Sequence, residues 1–317
     1  MSIFKTFPTS FFIKLSCFVF VVVFIDLLLG GALGFLQCQA KSGNIERENR
    51  ISNVVSSDVL IFGSSRGIQH YVPAILEDSL GMSVYNCGQP GNGIIYEYAK
   101  LQTLLARYTP KVLILDTYYH YDTDVDNNMR YIARLKFDYG ISGVDSVMEN
   151  IDPFIRIKML SQAFRYNSRV LEIVRDYRAG RNLSLQAGYI PHPGKGMLQE
   201  PATQPDTSSV NRKVDPLKLY YFEKLLKENY HKSKIIVMVS PMYDVKSSKI
   251  FDPIRSLCEK YDIPFLDHFA DPQISTDMKY FANREHLNDF GARKYTEVIA
   301  GELKNIIQSQ VGHNKGR

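Results

Sequence analysis

A serine hydroxyl becomes a useful nucleophile only when a neighbouring base takes its proton and nearby N–H donors hold the charge that develops on the attacked oxygen. Three stretches of this chain carry those parts. Val59, Leu60, Ile61 and Phe62 run straight into Gly63-Ser64-Ser65-Arg66, which puts Ser65 at the end of an apolar run. Far downstream, Asn283-Arg284-Glu285-His286-Leu287-Asn288 is a polar stretch with one His just ahead of a helical pattern. Between them, Cys87-Gly88-Gln89-Pro90-Gly91-Asn92-Gly93 is too rich in Gly and Pro to be anything but a loop, and Gly88 and Gly91 offer backbone N–H groups. Alone, a Gly-Ser-Ser is more often a turn and a His before a helix more often a cap. Together they allow acyl transfer, with Ser65 as nucleophile and His286 as base.

Such a site needs a fold that returns the chain to one edge. Four apolar residues ending in Gly read as a buried parallel strand, and an open α/β sheet gathers its ligands outside the carboxyl ends of such strands. Further strands are expected at 81–86, 110–116, 234–240 and 264–267. They alternate with helical patterns at 68–80, with Pro73 in the first turn, and at 96–108, 216–229, 254–261 and 291–307. The sequence therefore predicts an α/β, flavodoxin-like three-layer fold with a mainly parallel central sheet. The alternation breaks at about 126–215, where helical runs at 155–164 and 168–178 lead into a long polar loop at 180–216. This reads as an insertion beside the sheet edge, either a seat of substrate selection or a surface elaboration.

Residues 15–36 are apolar except for Ser16, Asp26 and the glycines, long enough to cross a bilayer core. Lys5 and Lys14 precede them, and no clean cleavage site follows, so an uncleaved N-terminal transmembrane helix is expected. Asp26 within the span is either a contact to a membrane partner or a tolerated off-centre charge. The domains read as 1–40 anchor, 41–57 polar linker, 58–310 α/β domain and 311–317 polar tail. The 317 residues carry a formal charge of +5, with 45% hydrophobic and 22% charged residues, and the basic ones are dispersed. No Lys/Arg stripe with interleaved aromatics points to nucleic acid. The cysteines lack metal-ligand spacing, as do Asp116, Asp122 and His120, so neither a metal nor a cofactor is expected. A Cys87–Cys258 disulfide stays open for an exported domain.

On these motifs the chain resembles the SGNH, or GDSL-like, hydrolase family, over roughly 58–120 and 233–305. Gly63-Ser64-Ser65 resembles the family's Gly-Asp-Ser block, with Ser64 at the Asp position. The resemblance implies Ser65 as nucleophile with its own N–H in the oxyanion hole. Asn86-Cys87-Gly88-Gln89-Pro90-Gly91 is similar to the second block, whose Gly, here Gly91, gives another oxyanion donor. The third block ends its strand in Gly-x-Asn-Asp with the Asn side chain as a third donor; here Leu115-Asp116-Thr117-Tyr118-Tyr119-His120 stands there without a matching Asn. The last block, Asp-x-x-His-Leu-Asn, appears as Asn283-Arg284-Glu285-His286-Leu287-Asn288, which puts Asn283 where the family has a carboxylate.

The resemblance implies a membrane-anchored esterase or O-acyltransferase facing the cell exterior. Its substrate would be an acylated surface carbohydrate, acetyl first, or another ester, with a membrane partner supplying acyl groups in the transferase case. A lipase or thioesterase would want a more apolar lid. The rival class is a binding or assembly protein of the envelope that keeps the pocket without the turnover, as Asn283 and the missing third donor would allow. Arg66, Asn92, Tyr118 and Tyr119 are candidate substrate contacts. Arg66 would otherwise pair with a surface acid, and the tyrosines would otherwise cover the sheet end. Glu285 or Asp116 is a candidate to replace the missing carboxylate.

Overall fold

Four of the five apolar runs are buried on both faces, which only a sheet covered by helices on both sides can offer, while the last, at 265–267, is a half-buried edge strand. The computed structural model describes residues 8–180, 187–198 and 212–309. Along the chain, α1 (Thr9–Cys38) and α2 (Gly43–Asn53) precede β1 (Val59–Gly63), α3 (Ser65–His70), α4 (Pro73–Leu80) and β2 (Val84–Asn86). Next come α5 (Ile94–Leu105), β3 (Val112–Asp116) and the single turn α6 (Tyr119–Asp122). Five short helices follow, α7 (Ile132–Leu135), α8 (Ser142–Ile151), α9 (Ile155–Lys158), α10 (Gln162–Tyr166) and α11 (Val170–Arg178). The chain closes with α12 (Pro216–Asn229), β4 (Lys234–Val239), α13 (Asp252–Lys260), β5 (Phe265–Asp267) and α14 (Asp289–Ser309).

The sheet has the order β2-β1-β3-β4-β5, and every pairing is parallel. Ile61, Ile114 and Ile236 stand side by side across its three central strands, each fully buried. Side chains alternate between faces, so Val59 and Ile61 of β1 join one core with Leu76 of α4 and with Ile299 and Leu303 of α14. Leu60 and Phe62 point to the other face, where α5 and α12 pack together. Burying an Ile or Leu of this kind contributes about 1.5–3 kcal/mol against leaving it wet.

The structure redraws three expected boundaries. The run expected as one helix over 68–80 is two, α3 and α4, broken at Tyr71 and Val72. Pro73 holds Val72 in extended geometry and then starts a new helix at its first position. Most of the expected linker at 41–57 is helix α2. The helix expected at 155–164 is split into α9 and α10 by Ser161, whose hydroxyl caps the second by accepting from Phe164 N–H.

The expected insertion does not behave as one body. The described residues up to Asn49 and those from Ile132 to 180 form one compact unit, whereas Arg50 to Tyr131 and the described residues from 187 onward form another. In the first unit, the buried carboxylate of Glu48 takes Arg134 at 2.5 Å and also Arg169, whose Nε bonds Glu172 at 2.7 Å. Lys136 Nζ donates to Phe164 O at 2.6 Å and Asn167 Oδ1 at 2.8 Å, and burial brings its ammonium down to about 8. Much of the polar loop expected at 180–216 lies outside the described residues. Cys87 and Cys258 are buried and form no disulfide with each other, and burial pushes the Cys258 thiol up to about 12.

Candidate active site

Ser65 is the first residue of α3, directly after the turn that ends β1. The first N–H groups of a helix have no acceptor within it, so the Ser65 N–H is open to a ligand. Ser64, buried, caps that helix by accepting from Arg66 N–H. This is the local use of the residue at the expected Asp position.

The sheet edge brings His286 to Ser65: Ser65 Oγ and His286 Nε2 are 2.7 Å apart. The other ring nitrogen, Nδ1, lies 3.0 Å from Asn283 Oδ1. That same oxygen accepts the N–H groups of Glu285 and His286, each at 3.0 Å. Two backbone donors fix which end of the amide is oxygen. An oxygen facing Nδ1 requires the proton on Nδ1, which leaves the Nε2 lone pair for the Ser65 hydroxyl. Burial, then the Arg66 charge, then His192 bring the His286 imidazole down to about 4. At neutral pH it is therefore uncharged and able to accept a proton.

Neither candidate substitute carboxylate reaches the imidazole. Asp116 Oδ1 accepts from Tyr71 Oη at 2.6 Å and from Ser240 N–H at 3.0 Å, and burial pushes the carboxyl up. Among the described residues no carboxylate bonds the His286 ring, so Asn283 is the orienting group.

The loop after β2 is clamped against α3. Asn86 Nδ2 donates to Gly67 O at 2.8 Å and Tyr71 O at 3.1 Å, while its Oδ1 accepts from Gly88 N–H at 3.0 Å. A Cβ on Gly88 would sit 2.4 Å from Ile68 N, so only Gly lets the loop come this close. Cys87, Gln89 and Asn92 each spend their N–H on a backbone carbonyl. Pro90 has none. Of the two glycines that sequence left as donors, Gly88 is committed to Asn86, and Gly91, at φ +70°, makes no hydrogen bond with its N–H among the described contacts.

All four candidate substrate contacts are buried. Arg66 is fully buried and, among the described residues, pairs with no surface acid. Its Nη2 donates to Ser240 O, to Ser240 Oγ at 3.1 Å and to Pro241 O at 3.4 Å. The guanidinium lies 5.0 Å from the Tyr118 ring centre and 5.7 Å from that of Phe269. Tyr118 and Tyr119 are 4% and 5% exposed and pack edge to face at 4.7 Å, so they cover the sheet end rather than offer a face for stacking. Asn92 is buried too, and its Nδ2 donates to Pro90 O at 2.9 Å, which holds the turn that presents Gly91. His120 is on the surface beside Asp124.

Two histidines that sequence reasoning passed over belong to the site. His70, at the end of α3, is fully buried. Its Nε2 accepts from Leu287 N–H at 3.0 Å, so its Nδ1 donates to Ser240 Oγ at 2.9 Å. Burial first, and then Arg66, hold its imidazole well below the usual range, and it stays neutral. His192 stacks on His286 with ring centres 5.9 Å apart and planes at 24°. It comes from the 187–198 segment of the insertion, which crosses the strand ends: Ala187 O accepts Asn86 N–H at 2.8 Å, and Tyr189 Oη donates to Asp289 at 2.7 Å. Its sequence signal was a His flanked by Pro191 and Pro193 in an otherwise featureless loop.

No family model matches the chain, and no curated protein matches it. Among solved structures it is similar to a Streptococcus pneumoniae protein named, provisionally, as a platelet activating factor. The two are 13% identical, with a TM-score of 0.41, over 90% of this chain and 99% of the other. A likeness so distant carries nothing about activity.

Proposed function

We propose that the protein is a serine ester hydrolase or O-acyltransferase of the SGNH type, held at a membrane by α1. The observation that carries this reading is the 2.7 Å contact from Ser65 Oγ to His286 Nε2, with the ring tautomer set by Asn283. In the proposed cycle Oγ attacks an acyl carbonyl while Nε2 takes its proton. The N–H groups of Ser65 and Gly91 receive the oxyanion. Collapse expels the alcohol, which leaves with the proton from Nε2. Water or a second hydroxyl then attacks the acyl-serine and gives its proton to Nε2, and cleavage of the acyl–Oγ bond releases an acid or a new ester as Ser65 Oγ takes that proton back.

The substrate class we propose is an O-acylated, most simply O-acetylated, carbohydrate at the outer face of the cell. It rests on the resemblance to SGNH hydrolases and on a helix, α1, that is long and apolar enough to cross a membrane. A membrane partner that supplies acyl groups belongs to the transferase version. A second reading, an SGNH-fold binding or assembly protein, is favoured by the neutral Asn283 and by the lack of a side-chain amide after β3.

The test is turnover of aryl acetate against aryl octanoate by the full chain in detergent, together with fluorophosphonate labelling. Labelling and turnover are expected in wild type, and Ser65→Ala and His286→Ala should each reduce turnover on the order of 10³-fold or more. A folded wild type that neither labels nor turns over would remove the enzyme reading and leave the binding one.

A further inference from the structure

Asp26 lies inside the apolar helix α1, yet three donors from one short segment of the same compact unit engage its carboxylate. Ser161 Oγ donates at 2.5 Å, Gln162 N–H at 2.7 Å and Ala163 N–H at 3.0 Å. The membrane-partner contact considered for this residue is thus made within the chain. Asp26 acts as a second cap for α10, which otherwise would start with unsatisfied N–H groups.

One and two turns further on, the same face of α1 carries Gly30 and Gly34. A Cβ at Gly30 would lie 2.4 Å from Gln162 Cβ, and one at Gly34 would lie 2.7 Å from Tyr166 Oη. This small-residue seam lets α10 lie directly on α1, as helices pack within membranes. The register runs the same way along both helices and continues past α1, where Lys41 N–H donates to Asp176 O of α11 at 3.1 Å. Of the described contacts to α1, the one nearest its N-terminus is that of Ser161, and α9 ends three residues before Ser161 in the chain.

Around α9, Ile155 and Met159 are buried, whereas Phe154, Ile157 and Leu160, spaced three apart, are 66%, 68% and 78% exposed. Leu160 adjoins the residue bonded to Asp26. α1 has 30 residues. At about 1.5 Å each it is roughly 45 Å long, against a hydrocarbon core of about 30 Å. A core that begins at Phe11 ends near Gly30, which leaves Asp26, and Ser161 with it, about one turn below the lipid surface.

We propose that Phe154, Ile157 and Leu160 are inserted into the domain-side leaflet of the bilayer that α1 spans. Asp26, Gly30 and Gly34 fix the depth of this knuckle. Interfacial helices bury their apolar face to a comparable depth, and the two cations that alternate with the three are held by carboxylates of the same unit, Arg156 by Glu149 at 2.6 and 2.9 Å and Lys158 by Asp152 at 2.6 Å. The inference rests on the membrane reading of α1.

The chain contains no Trp, so a single introduced indole reports without background. Full-length Phe24→Trp, Ile157→Trp and Leu160→Trp variants would be placed in phosphatidylcholine–phosphatidylglycerol vesicles with and without brominated acyl chains. Phe24→Trp reports whether α1 is in the lipid. The other two are expected to emit to the blue of a free indole in water and to be quenched about twofold or more by bromines near the headgroup end. Quenching of Phe24→Trp alone, with water-like emission from the other two, would overturn the knuckle but leave the anchor. Blue-shifted emission without quenching would mean that protein covers the patch, and would overturn it as well. An unquenched Phe24→Trp would remove the anchor itself, and the knuckle with it.

Discussion

Both ring nitrogens of His286 bond neutral groups, the Ser65 hydroxyl and the Asn283 amide, and the imidazole is brought down to about 4. A base of this kind keeps its lone pair far into acid and gains it at the expense of basicity. The acid limb of kcat/KM for an aryl ester is therefore expected to have its midpoint near 4, since protonation of Nε2 removes the acceptor. Asn283→Asp keeps an oxygen for the two backbone N–H groups and puts a negative charge beside Nδ1–H. An opposite charge at this range raises a cation's pKa by roughly 1–3 units. The limb should move up by that amount and the plateau rise about tenfold or more, read from pH–rate profiles of the two proteins. A limb that stays put would mean that His286 is not the base. Stability follows the same sign. The depressed imidazoles of His70 and His286 favour the fold fully above the ordinary value of 6.5, where the unfolded chain is also neutral. As pH falls from there towards about 4, the unfolded chain takes up protons that the fold refuses, so Tm should decline over that window.

At the level of elements, the site depends on how α3 and the loop before α14 are tied. His70 makes that tie by accepting Leu287 N–H and donating to Ser240, with no hydrogen bond to the Ser65–His286 pair, its ring standing edge to face with that of His286 at 6.2 Å. His70→Ala leaves the Leu287 N–H without its acceptor in a buried place and opens a cavity, which should cost about 2–4 kcal/mol in denaturant unfolding. It should also lower kcat on the order of 10- to 100-fold while KM stays near its original value, because the base is displaced and the binding surface kept. An equal loss in Gln69→Ala, a half-buried α3 residue that takes no part in this tie, would show the effect to be general to the helix. Ser65 and His286 were legible because each stands where a simple pattern ends, an apolar run in one case and the start of a helical periodicity in the other. His70 was not, since it sits inside what reads as one helix up to Leu80, and nothing local says that Pro73 starts a second. Arg66 was misread for a related reason. Its partners Ser240 and Pro241 follow β4, and only the assembled sheet brings them beneath α3. The strands were legible because parallel strands are apolar on both faces, whereas the short helices of the insertion depend on caps such as Ser161 that no periodicity announces.

The whole molecule divides into two compact units, one with the sheet and the pair at its edge, the other with α1 and the helices from Ile132 to Arg178. Among its described residues the second has no sheet to organise it. Its short helices converge instead on Glu48, which is 2% exposed and holds Arg134 and Arg169 from either end of the insertion's helical part. Breaking one member out of a buried ion set leaves like charges unpaired in low dielectric and costs about 3–5 kcal/mol, more than the set contributes while intact. Glu48→Gln keeps the shape and removes the charge. It is expected to lose hydrogen-exchange protection across 132–178 by about that amount, with the amides of β1, β3 and β4 in the same sample as the internal reference. Glu48→Gln combined with Arg134→Met and Arg169→Met should recover much of the protection, because both buried guanidinium charges go with the carboxylate, and Glu172, left by Arg169, keeps Arg175 at 3.6 Å and Asn44 at 2.9 Å. If the single variant leaves 132–178 as protected as wild type, the buried carboxylate does not hold this unit together, and its packing on α1 through Gly30 and Gly34 must do so alone.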